Sequence, residues 1–414
     1  MAEKKNPFRV DEFRGMNNIK QAEGTFEEPR IVLNADVTEE GRIVKRDGYT
    51  KLFSLTDAHS LWAGNNAMLC VDNGTLYRIQ QGNKVSLCTV NGPKSLMSYA
   101  DVDDLVYMSN YYWHGIFDPA DNSISDWGID LPEQPVITST TGSLPAGTYH
   151  VCFTISDGVT ISGNGPIAQI ILSSGNSGIS ISNRPVNGIV WVTDPDGGIF
   201  HPVGEYDTIL STPGVEPMPS FLCGPPPYMR YLTYAFGRIW GTRDSILYYS
   251  ESFHLDWFKE GMNRFDFHDT ITLIAMVPTG LFVGCATKTQ FLKGTNPKEM
   301  QIIDAGPGAV PNTLQYCDDL GELGDIISPP EKTHVDVPVW VGHNGIVAGN
   351  QAGRLFSLSE RKVKFAPGSE GASLFRKKNG RFQFLTSFKA GSEGSGFGIS
   401  DDATCEVIRN GTLI

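Results

Sequence analysis

Short apolar runs alternate with clusters of Gly, Asn, Asp and Pro along the whole chain, and patterns of helical period are nearly absent. Residues 61–90, "LWAGNNAMLCVDNGTLYRIQQGNKVSLCTV", predict four strands joined by GNN, NG and GN turns. The Asn73-Gly74 step predicts a type I′ hairpin, whose two central residues both need positive φ. The layout returns at 95–127 with a longer third turn, at 230–258, at 271–304, at 337–367 and, in part, at 372–391. Four-stranded units recurring every ~35–45 residues are β-propeller blades. The WD and kelch signatures are absent. The expected fold is all-β: a propeller of five or six visible blades, one of them completed by strands from both chain ends.

One segment breaks the period. Residues 131–207 open with a Pro-rich stretch and continue as strands of clean alternation. In "GTYHVCFTISD", Tyr149, Val151, Phe153 and Ile155 fall on one face of a half-buried strand. The strand spacing predicts an inserted fibronectin-like or immunoglobulin-like β-sandwich, without the Cys…Trp…Cys pattern of antibody domains. "STPGVEPMPSFLCGPPPYMRY" (211–231) then reads as a stiff linker back to the blades. The expected organisation is an N-terminal arm with the first blades over 1–130, the sandwich over 131–207, and the remaining blades over 208–414.

Composition narrows the function. The 414 residues carry a formal charge of −13, which argues against sequence-independent DNA binding through a basic face. Such a surface suits a conduit that nucleic acid passes without sticking. "MAEKKNPFRVDEFRG" has no apolar core and does not read as a secretory signal. No run approaches the ~20 apolar residues of a membrane span, so no membrane anchor is expected. Cys70, Cys88, Cys152, Cys223, Cys285, Cys317 and Cys405 form no CxxC pair and are expected as free thiols, mostly buried, made in a reducing cytoplasm.

The candidate chemistry is thin. Asp101, Asp103 and Asp104 lack the Gly pivot and terminal Glu of a calcium loop and read as a solvated turn. Asp318, Asp319, Glu322 and Asp325 read as an exposed acidic loop. His334 and His343 show no metal-ligand spacing, and no GxSxG elbow occurs. "GPGAVPN" (306–312) lacks the GK[ST] of a phosphate cradle. Tyr111, Tyr112, Trp113, Tyr248 and Tyr249 could stack on sugars or bases, although blade packing is the ordinary use of such rings. Paired acids in a propeller channel could also cleave glycans. No catalytic residue, cofactor or metal is expected.

Residues 13–53 bring a resemblance. Asn34, Asp36, Val37, Gly41, Ile43, Arg46, Gly48 and Tyr49 match an "N-x-D-hydrophobic-x-x-x-G-x-hydrophobic-x-x-R-x-G-[YF]" run. The run resembles the segment that precedes the propeller in bacteriophage tail and virion-stabilising proteins. "GRIWGTRDSILYYSESFHLDWF", ending in Trp257–Phe258, and "TGLFVGCATKTQFLKG" are similar to later propeller strands of the same proteins. The sandwich is similar to fibronectin-like insertions found there. The resemblance implies a tail nozzle of short-tailed phages: a non-enzymatic virion protein, synthesised in the host cytoplasm and forming a ring, sixfold by analogy. Its implied partners are further copies of itself, the portal–adaptor complex and tail fibres, with genomic DNA passing through unbound. Arg42, Lys45 and Arg46 then read either as the solvated face of strands entering the first blade or as an arm contacting a neighbouring subunit or the adaptor. A glycan-binding or glycan-cleaving propeller and a cellular scaffold are the alternative readings.

Overall fold

In the computed structural model, residues 54–175, 177–211, 214–318 and 336–359 are described without a break, together with parts of 12–52 and the strands between 368 and 413. Every regular element among the described residues is a β-strand. Leu55–Asp266 forms one compact unit; Met1–Ser54 and Phe267–Ile414 form a second.

The first unit holds three four-stranded antiparallel meanders and the insert. The first meander is Ala58–Ala63, Met68–Asp72, Thr75–Gln80 and Asn83–Thr89. Asn73 (φ 50) and Gly74 (φ 74) supply the expected type I′ turn. The second is Ser98–Val102, Leu105–Ser109, His114–Asp118 and Ser123–Ser125; the third is Arg230–Ala235, Arg238–Arg243, Ile246–Tyr249 and Arg264–Asp266. Successive meanders stack face to face. Leu69, Val71 and Leu76 of the first pack on Tyr99, Val106, Met108 and Phe117 of the second. Ala100 and Val102 of the second pack on Leu232, Ile239 and Tyr248 of the third. Ser98 Oγ accepts the Leu232 N–H at 2.8 Å, pinning neighbouring innermost strands together. Four-stranded meanders packed in this way are β-propeller blades.

Asp72 closes the first blade. Its Oδ1 accepts the backbone N–H groups of Thr56 and Asp57 at 2.9 and 3.0 Å, and Lys84 Nζ lies 3.2 Å from Oδ2. The Asp57 and Thr56 N–H groups, then Lys84, hold this carboxyl below the usual Asp range. A depressed native pKa stabilises the fold above the unfolded value of about 4, and that gain is lost as pH falls through the native value. Asp72→Asn should therefore flatten the acid limb of the stability–pH profile below about pH 4. An unchanged limb in urea titrations would remove Asp72 from the acid response.

The insert is a two-sheet sandwich. Gly147–Ile155 lies between Ala168–Leu172 and Gly188–Thr193, with Phe200–Gly204 at the far edge. The facing sheet orders Ile137–Leu144, Ser177–Ile181 and Thr208–Ile209. Both sheets feed one core, in which Tyr149, Val151 and Phe153 meet Leu172, Ile179, Val190, Val192 and Ile209. The expected face holds for three of its four residues. Ile155 is half-buried outside this core, where its N–H donates to Ser162 Oγ at 2.9 Å. The strand Thr208–Ile209, one residue beyond the expected boundary, pairs with Ile179 and Ser180.

The second unit holds three more meanders. They are Ile271–Val277, Gly280–Cys285, Lys288–Lys293 and Gln301–Pro307; then Gln315–Cys317, Val337–Gly342, Gly345–Gly349 and Leu355–Ser357; then Gly368–Lys378, Arg381–Ala390, Ala403–Arg409 and Thr412–Leu413. Leu273, Phe282 and Phe291 pack on Trp340 and Val347, and Val339, Val341 and Ile346 pack on Phe384. The fifth blade begins at Gln315, ahead of the expected start at 337. Where closure by both chain ends was expected, the sixth draws all four of its strands, among the described residues, from the C-terminal region. Ala403–Arg409 pairs with Arg381–Ala390 and turns back onto Thr412–Leu413.

Candidate functional site

The basic hairpin pairs Ala35–Val37 with Ile43–Lys45 as a separate two-stranded sheet. It does not enter the first blade, whose four places are already filled. Arg42 and Lys45 are exposed, and Arg46 lies outside the described residues. The turn is pinned from behind: Phe13 N–H donates to Gly41 O at 2.8 Å, and a Cβ on Gly41 (φ +71) would lie 2.2 Å from Glu12 Cγ. Glycine is required there on both counts.

The acidic turn of the second blade is a clasp as well as a turn. Asp101 Oδ2 accepts the Asn65 N–H at 2.8 Å, and Asn66 Nδ2 donates to Asp103 O at 2.7 Å. The GNN turn of the first blade is thereby fastened to the second, and partial burial raises the Asp101 carboxyl. Asp319, Glu322, Asp325 and His334 lie outside the described residues, while His343 is half-buried. In the Gly-rich segment Ala309 and Val310 are buried, and Gly308 sits against the Ala286 carbonyl. Among the described residues, no three His, Cys, Asp or Glu side chains are grouped to hold a metal ion.

Most of the candidate rings pack. Tyr248 and Tyr249 are buried, and Tyr249 lies 5.0 Å from the Trp240 ring. Trp113 joins the first interblade core, and Tyr111 lies beneath the Arg230 guanidinium. Tyr112 is exposed, lying on Gly92 (φ +68) where a Cβ would meet its ring at 2.4 Å. The six described cysteines are free thiols. Burial pushes Cys152 up to about 12 and Cys223 and Cys285 up to about 11, keeping them protonated and unreactive.

The feature that the sequence pattern did not foretell is the seating of the sandwich on the third blade. Trp257 Nε1 donates to Ile161 O at 2.7 Å, and Thr160 Oγ1 donates to Asp256 Oδ2 at 2.9 Å. Ser220 Oγ donates to Ser162 O at 2.7 Å, and Asn164 Oδ1 accepts the Leu222 N–H at 2.7 Å. Gly224 and Phe258 exchange two backbone hydrogen bonds. The Pro-rich linker is therefore no free spacer. Met218 and Phe221 lie across the outer face of the larger sheet with Cys152, Trp191 and Phe200. Beyond this seat the insert presents apolar turn tips, Val159 at 95% and Val186 at 86% exposure. Asp157 Oδ1 accepts the Val159 and Thr160 N–H groups, making the first tip a fixed turn. Long Trp257 and Asn164 contacts have no local sequence signal; the Trp257 ring alone could have drawn notice as a buried donor in need of a partner.

No family model matches the chain, and no curated protein matches it. Among solved structures it is similar to BBS1N in complex with ARL6DN, soaked with mercury, at 10% identity over 89% of this chain and 97% of that one, with a TM-score of 0.33. It is similar to the Neurospora crassa Pan2 WD40 domain at 10% identity over 84% and 91%, with a TM-score of 0.32. It is also similar to PorZ of the Porphyromonas gingivalis type-IX secretion system at 13% identity over 90% and 55%, with a TM-score of 0.25. These scores carry no argument of their own. The propeller assignment rests on the meanders and on how they stack.

Proposed function

We propose that the chain is a structural virion protein without catalytic activity: a ring-forming tail-nozzle subunit of a short-tailed bacteriophage. It would extend or close the DNA-ejection conduit below the portal and adaptor. The resemblance of residues 13–53 supports this reading, as does the acidic charge of −13. The observation that carries it is the clamped sandwich. Hydrogen bonds from Trp257 and Thr160 fasten the insert to the third blade, and those from Ser220 and Leu222 fasten the linker to the insert. A part that holds register between neighbours while DNA passes needs such a rigid projection.

Mass spectrometry and imaging of purified particles test the reading. Several copies arranged as a ring on the tail are expected, and particles lacking the chain would overturn it. The purified protein should also retain no duplex DNA at physiological salt, because an acidic surface offers few phosphate contacts. Salt-sensitive micromolar retention would sink the conduit-lining role. The alternative, a receptor-facing glycan-binding or glycan-cleaving propeller, draws on the exposed ring of Tyr112; turnover of a host polysaccharide would favour it.

A further inference from the structure

The chain leaves the second blade for the insert after Trp127 and returns to the third blade at Met229, both buried. Between these fixed ends the outgoing and returning segments meet. A Cβ on Gly128 (φ +87) would lie 2.5 Å from Pro226 Cδ, and Pro226 is buried. At the meeting point lies His114, the first residue of His114–Asp118. Its ring is 5.7 Å from the Trp127 ring on the outgoing side and 5.0 Å from the Tyr228 ring on the returning side, tilted against both. Ser109, its cross-strand partner, accepts the Met229 N–H at 3.0 Å. One imidazole thus fills the neck of the insert.

His114 Nδ1 is buried and has no hydrogen-bond partner. In the neutral ring the single proton can sit on Nε2, and Nδ1 keeps only a bare lone pair. The imidazolium carries N–H on both nitrogens, which would leave a buried donor with no acceptor and a charge taken out of water. Burial accordingly pulls this imidazole below its ordinary value, while Asp126 and Asp130 beside the neck work the other way. Both carboxylates are exposed, so water screens them. The other titratable groups facing it are the Tyr228 phenol and, beyond Trp127, the Tyr107 phenol of the neighbouring strand.

We propose that His114 is a proton-operated latch: protonation of its ring parts residues 128–131 from 224–228 while the blades on either side stay folded. The sign fixes the pH window. A histidine held neutral in the closed neck takes up a proton more readily once the neck opens, so closure weakens as pH falls through the free imidazole value of about 6.5. Asp72 acts below about pH 4 and within the first blade, so the two responses are separate in pH and in place. The latch is independent of the nozzle reading.

Hydroxyl-radical footprinting of the full chain, read by mass spectrometry, provides the test. Modification of Pro226 should rise by roughly three- to tenfold between about pH 7.5 and about pH 5.5, one unit below the free imidazole value. Leu69 and Val106, in the blade core, should stay protected at both. His114→Phe keeps a ring between Trp127 and Tyr228 but cannot titrate, so Pro226 should stay covered throughout. On the unaltered protein, proton NMR should show the His114 ring titrating below about 6.5. Pro226 remaining covered at the lower pH overturns the latch. So does an equal acid response in the His114→Phe chain, or a His114 ring titrating at or above the free imidazole value.

Discussion

Trp127→Ala is expected to destabilise the Leu55–Asp266 unit by about 3–5 kcal/mol, the range for removing a large ring from a packed core. Trp127 is 1% exposed and sits among residues of the second and third blades. Its ring meets Tyr107 edge-on at 5.3 Å and Phe258 at 6.1 Å. Its Nε1 donates to Leu255 O at 2.9 Å, across 128 residues of chain. Alanine would leave a void between two blades and strip that carbonyl of its donor. Trp127→Phe retains most of the ring and gives up the hydrogen bond, so a smaller cost is expected, of which the lost bond is about 1 kcal/mol. Urea unfolding followed by hydrogen exchange in 98–127 and 230–258 measures both. A loss below about 1 kcal/mol for the alanine variant would show that the ring does not join the blades.

Gly163→Ala is expected to unseat the linker, although it adds a single methyl group. A Cβ at this position would lie 1.5 Å from Cys223 O and 2.4 Å from its carbonyl carbon. Backbone cannot yield by rotating, so either the 160–164 loop or the 218–224 segment must move. The Ser220–Ser162 and Leu222–Asn164 bonds lie on either side and would go with it. We expect a cost of about 3 kcal/mol, at the upper end for overpacking. Protease cleavage within 211–224 should become rapid while the blades still melt cooperatively. Unchanged protection of the linker would mean that the close approach is not maintained in solution. Gly158, with nothing within 4 Å of its added Cβ, provides the contrast for space, although its φ of +93 makes alanine strained there on other grounds.

Much of the blade architecture was legible because hairpin chemistry is local. Asn73-Gly74 declares its turn in two letters, and Tyr149, Val151 and Phe153 declare their face by alternation. The fifth blade began earlier than expected because Gln315–Cys317 is three residues long and is separated from its partner Val337–Gly342 by 318–336. Periodicity has no purchase on so short a strand. The linker misled for a different reason. Proline content signals stiffness, but Met218 and Phe221 carry enough apolar surface to settle on a sheet. The seat of the sandwich was out of reach altogether, since Trp257 and Ile161 are 96 residues apart and neither reads as unusual in its own neighbourhood. Arg42 and Lys45 were visible as a basic turn, but the Phe13–Gly41 hydrogen bond that anchors their hairpin was not.

The division of the chain into two units also sets an order of events during synthesis. Leu55–Asp266 is contiguous, so all three of its blades and the sandwich can fold as soon as they emerge. The other unit combines residues made first, Met1–Ser54, with residues made last, from Phe267 onward. Its N-terminal part must wait for more than half the chain to be translated before its companions exist. Ribosome-bound chains halted far enough past Asp266 for that residue to clear the ribosome should thus already resist protease across the first three blades.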